Sequence, residues 1–148
     1  MWNSEKSAKL SLYLTDLFAV LLIVTAIFLP KIIGWYITYT GKSEDLKVLI
    51  ITVCYTCFPA AAILLYSLRR LLKNIMKDII FVPENTKLLR IISWCCVAAS
   101  IITLVTGYFY MPFYIIGIAA GFFALILRVI KNVFSAAIDI KTENELTI

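Results

Sequence analysis

The chain has 148 residues, 62% of them apolar and 16% charged, with a formal net charge of +5 and no histidine. A water-soluble domain is nearer half apolar and a quarter charged, so this composition excludes an ordinary soluble fold and points to lipid as the solvent. The missing histidine removes the commonest metal ligand and the usual base near neutral pH, which excludes histidine-based catalysis; no metal, no cofactor and no catalytic residue are expected in this chain.

A hydrocarbon core of about 30 Å takes roughly 20 helical residues to cross, and four stretches are long enough: 10–29, 48–68, 91–110 and 113–130. They are β-branched but lack polar alternation, which argues against strands, and in lipid only helices or closed barrels satisfy the backbone. The expected fold is an all-α membrane protein, one four-span domain over 1–148, its helices making two hairpins that close into a bundle.

The first span is longer than the core of a signal peptide, and "TAIFLPK" offers no small-x-small cleavage site, so it is expected to persist as an anchor. Asp16 is the one acid within a span, about 10 Å from its N-terminal border at 1.5 Å per residue. An intramembrane carboxylate is costly and finds a partner. A helix-to-helix contact with Arg90, Arg128 or a hydroxyl such as that of Tyr13 is expected, with a proton or cation site as the functional alternative.

The second span carries Cys54, Cys57 and Pro59, and the third carries Cys95 and Cys96. Two thiol pairs in four spans resemble a membrane thiol oxidoreductase. No thiol lies at a wet edge, however, and no nearby cation would lower its pKa, so small packing residues are the expected role. Pro59 removes a backbone hydrogen bond and is expected to kink its helix.

From the end of the second span into the 69–90 loop, Leu68, Leu71, Leu72, Ile75, Met76 and Ile79 recur at helical spacing with Arg69, Arg70, Lys73, Asn74, Lys77 and Asp78 opposite. This basic amphipathic extension is expected to lie on anionic lipid, or to face its counterpart or a cytosolic protein. The fourth span contains Gly117-x-x-x-Gly121, which permits close helix approach, within the bundle or at a homodimer face. Residues 131–148 extend it into a second basic helix, and the last residues after Thr142 are expected to be extended.

Eleven of the fourteen basic residues flank the N-terminus, the 69–90 loop and the C-terminus. Short cytoplasmic loops concentrate Lys and Arg, so both termini are expected in the cytoplasm. Tyr36, Tyr39, Tyr110 and Tyr114 fit the opposite headgroup layer. No recognisable DNA-binding motif accompanies the bases, so direct nucleic-acid binding is not expected.

"LRRLLKN" followed by "PEN" aligns with "LRVIKN" followed by "TEN", which suggests a parallel repeat of two hairpins. The segments "FVPENTKLLRIISW" and "VFSAAIDIKTENELTI" also resemble those of the small bacterial four-span proteins called domain of unknown function 2975. That resemblance implies a multi-pass protein of the bacterial cytoplasmic membrane that partners a helix-turn-helix regulator encoded beside it. The expected docking residues are Glu84, Asn85, Arg90, Glu143, Asn144, Leu146 and Ile148, in a non-enzymatic sensor or regulatory protein. A bacteriocin-immunity or small transport role and an intramembrane thiol oxidoreductase are the alternatives.

Overall fold

The computed structural model describes residues 4–146, with side chains from 6 to 144. It contains four helices: α1 (Ser4–Thr40), α2 (Glu44–Met76), α3 (Pro83–Gly107) and α4 (Pro112–Leu146). Each is long and apolar enough to cross a membrane, as expected where lipid leaves the backbone no partner but itself. At 37 residues, α1 extends about 55 Å, well beyond a hydrocarbon core of about 30 Å.

The turns follow from local chemistry. Gly41 sits at φ +63°, a conformation that costs glycine little, and Glu44 and Asp45 occupy the first turn of α2, where the helix dipole favours negative charge. At the far end of α2, Asp78 adopts φ +57°. Its amide donates to the Ile75 carbonyl at 3.0 Å and the Ile79 amide to the Asn74 carbonyl at 3.0 Å, a Schellman closure that stops the helix at Met76, short of Ile79. Pro83 then starts α3 at its first position, where its missing N–H is harmless.

The helices pack as two hairpins in a row. α2 packs on α1 and α3, and α3 on α4, but among the described residues α1 and α4 do not approach each other. The row is therefore open rather than the closed bundle expected. Within the apolar stretch of each helix, 33% of residues are buried for α3, 17% for α4 and 6% for α1 and α2, so α3 is the axis of the packing.

The α3–α4 interface is built from small residues and hydroxyls. Ser100 Oγ donates to the Gly117 carbonyl at 2.7 Å and Ser93 Oγ to the Ala124 carbonyl at 3.0 Å, both buried. A Cβ on Gly117 would stand 2.6 Å from Leu104 Cγ, and one on Gly121 would stand 3.0 Å from Ser100 Oγ. The Gly117/Gly121 face is thus occupied by α3 within one chain.

A third interhelical bond answers a proline. α1 runs unbroken through Pro30, whose lack of an N–H leaves the Ala26 carbonyl without its helical donor. Tyr55 of α2 supplies it, its hydroxyl donating to Ala26 O at 2.9 Å. Tyr55→Phe is expected to destabilise the α1–α2 hairpin by about 1 kcal/mol, the scale of an interhelical hydrogen bond in lipid. In a Pro30→Ala background, where residue 30 regains its N–H, the same change should be nearly neutral. A double-mutant cycle of unfolding in bicelles would read the coupling.

At the end opposite the basic residues, Lys42 ties α1 to the α3–α4 turn, which compensates in part for the missing α1–α4 contact. Its Nζ donates to Tyr110 Oη at 2.8 Å and to Tyr36 Oη at 3.1 Å. These bonds, Tyr110's first, hold its ammonium above the usual lysine pKa. The basic end carries the main core instead: Leu71, Leu88, Leu89 and Ile92 are buried, with Leu68, Ile75, Leu127 and Phe134 packed on them. The apolar stripes of the two basic extensions thus turn toward a shared core with α3.

Candidate functional site

The α2–α3 turn at the basic end is organised by Asn85, whose side chain is fully buried. Its Oδ1 accepts from Asn74 Nδ2 at 2.8 Å, and its Nδ2 donates to the carbonyls of Ile79 and Ile80, both at 2.8 Å. One amide thereby satisfies two turn carbonyls and one side-chain donor that would otherwise be left without partners. The α3 N-cap is Val82, which has no side-chain capping bond, so neither Asn85 nor Thr86 caps the helix. Asn85, expected as a docking contact, is instead enclosed and offers no exposed side chain.

The exposed surface lies around it. Glu84 is half exposed and paired with Arg70, and Arg90 is exposed. Pro83, Thr86, Lys87 and Arg90 of α3 face Ser135, Ile138 and Asp139 of α4 across a recess of about 230 Å³. Thr86 Oγ1 is enclosed at its wall with no hydrogen-bond partner among the described residues. Phe81 of the turn packs on Phe134 of α4, ring centroids 5.9 Å apart, a second tie between the turn and α4.

The end of α4 differs from the extended tail expected. The helix continues through Glu143 and Asn144, both exposed, to Leu146. Nucleation dominates the cost of a helix, and a helix already formed adds a terminal turn cheaply. The side chain of Leu146, and all of Ile148, lie outside the described residues. The two Glu-Asn pairs therefore occupy unlike settings, Glu84 and Asn85 in the first turn of α3 and Glu143 and Asn144 within the last turns of α4. The aligned basic stretches, 68–74 and 127–132, are helical in both hairpins, and the local structures part only at the Glu-Asn pairs.

Asp16 has a partner not anticipated from sequence. Arg69 of α2 meets it with two contacts, Nε to Oδ1 at 2.6 Å and a terminal nitrogen to Oδ2 at 3.2 Å. Arg90 and Arg128 are on α3 and α4, which among the described residues do not pack on α1, whereas the antiparallel α1–α2 hairpin brings Arg69 to the level of Asp16. The fork geometry is the strong form of the carboxylate pair. The four cysteines are free and half-buried.

The family model described as "protein of unknown function (DUF2975)" matches residues 38–148 of this chain. No curated protein and no solved structure matches it.

Proposed function

Because the chain belongs to the DUF2975 family of proteins of unknown function and carries four membrane-spanning helices, we propose that it is a non-enzymatic membrane protein that docks a cytosolic partner on its basic end. The observation that carries this reading is that the basic end is a built surface. Three helices share a core there, a buried amide holds the turn, and a recess with an enclosed, unpartnered hydroxyl opens beside it.

Lysines and arginines gather at this end, which favours a cytoplasmic orientation with both termini inside. The partner we propose is a helix-turn-helix transcription factor. Glu84, Arg90, Glu143, Asn144, Leu146 and Ile148 form the contact surface, and Asn85 supports it from within. The spans would respond to a lipid, a peptide or another change in the envelope of a bacterial cell.

In-cell crosslinking tests the reading. Deletion of residues 143–148 is expected to reduce capture of the regulator by about tenfold, the scale of one well-placed interface anchor. Undiminished capture would remove the tail from the docking surface. A reporter fused after Ile148 that worked only outside the cell would remove the surface itself.

A further inference from the structure

A different feature of the same end shares Arg90 with that docking surface but rests on separate observations. On one flank of the α3–α4 pair, Arg90, Ser93, Trp94, Arg128 and Lys131 enclose a cleft of about 280 Å³. Three of these five side chains are cations and none is an acid. Among the described residues no carboxylate pairs with Arg90, Arg128 or Lys131. Ser93 has committed its proton to the Ala124 carbonyl, so its oxygen does not neutralise the cleft. Arg128 lies over the Trp94 ring, 5.7 Å from the centroid, which holds the guanidinium at the cleft without cancelling its charge.

We propose that this cleft binds the phosphate of an anionic phospholipid. Convergent, unpaired guanidinium and ammonium groups fit a phosphate diester through charge-assisted hydrogen bonds. The lipid is favoured over a free phosphate by what adjoins the cleft. Trp94, Ile101 and Val105 recur at helical spacing down one face of α3 and are 57%, 58% and 65% exposed. Ile118 and Leu125 of α4, 66% and 63% exposed, follow from Arg128 in the same direction. The two apolar stripes lead away from the basic end into the span, which is the path acyl chains would take from a headgroup held in the cleft. Trp94 sits where an indole suits the interface, and a basic pocket between spanning helices is the general form of an acidic-headgroup site.

The test uses the full chain with Trp2→Phe and Trp35→Phe, so that Trp94 is the emitting indole, in phosphatidylcholine nanodiscs. A fixed fraction of the lipid is replaced by brominated phosphatidylglycerol or, in the second arm, brominated phosphatidylcholine. The glycerol lipid is expected to quench Trp94 more strongly, and its apparent affinity should fall about fivefold for each of Arg90→Gln, Arg128→Gln and Lys131→Gln. Removing the same charge with Lys6→Gln, Lys73→Gln and Lys77→Gln should change it less than about twofold, because these exposed lysines lie outside the cleft. Equal quenching by both lipids would overturn the proposal, and so would equal losses in the two sets of variants. Competition by millimolar inorganic phosphate would overturn the lipid assignment in favour of a free anion. Should any of the cleft variants fail to fold, Arg128→Gln, verified by circular dichroism, decides the matter.

Discussion

Replacing Gly117 with valine is expected to destabilise the α3–α4 hairpin by about 3 kcal/mol, the upper range for overpacking a well-filled interface. The first added carbon would already stand 2.6 Å from Leu104 Cγ, 2.8 Å from Leu104 Cδ2 and 3.0 Å from Thr103 Oγ1. Separating the helices to relieve the clash would also break the 2.7 Å bond from Ser100 to the Gly117 carbonyl, because that bond needs the backbones this close. Gly34 is the internal control: a Cβ there meets only Lys47 Cε, at 3.9 Å. Gly34→Ala should be neutral, or stabilising by a few tenths of a kcal/mol or more through reduced freedom of the unfolded chain. Unfolding of both variants in mixed micelles would compare them. A valine at 117 as stable as the alanine at 34 would mean that α3 and α4 are not packed through this face.

The second large effect is expected at Asn85. Alanine there leaves the carbonyls of Ile79 and Ile80 and the Asn74 amide without their partner, at a cost of about 3 kcal/mol. Asn85→Asp is the sharper test because it is nearly isosteric. A carboxylate still accepts from Asn74 but turns an oxygen toward two carbonyl oxygens, so the aspartate should be at least as damaging as the alanine. The turn contains Lys77, an exposed trypsin site. If local opening limits cleavage, a 3 kcal/mol loss raises the open population roughly a hundredfold, and cutting at Lys77 accelerates accordingly. Cleavage in Asn85→Asp at the wild-type rate would show that the amide does not hold the turn.

The four spans were legible because their signal is collective: about twenty consecutive apolar residues leave the backbone one solution in lipid. Gly117 and Gly121 were equally legible as a close-approach pair, and the structure shows which neighbour fills the groove. Single polar residues were not legible in this way. Asn85 carries the composition of a surface residue, and its burial depends on Asn74, eleven positions away on another helix. A polar side chain beside a proline turn is an equally good signal for a buried fastener and an exposed contact.

Asp16 was recognisably in need of a partner, but its identity depended on which helices touch. A closed bundle would bring Arg90 or Arg128 beside α1, whereas the open row leaves it with Arg69. The end of α4 follows the same logic: the six residues after Thr142 are too few for an isolated helix, but residues 143–146 continue a helix already formed. Tyr55, Ser93 and Ser100 gave no sequence signal beyond being hydroxyls in spans, although Pro30 four residues after Ala26 marked a carbonyl that needed a donor.

The neighbour-to-neighbour order of the helices bears on how the chain assembles. No helix waits for a distant segment: α2 can settle on α1, α3 on α2 and α4 on α3 as each emerges, so docking can keep pace with synthesis and the loop entropy to be overcome stays small at every step. The tightest seam, between α3 and α4, is then the last to form. Until the ribosome has delivered the final helix, the Ser100 hydroxyl has no carbonyl to reach, and α3, the central strut of the finished molecule, is held from one side alone.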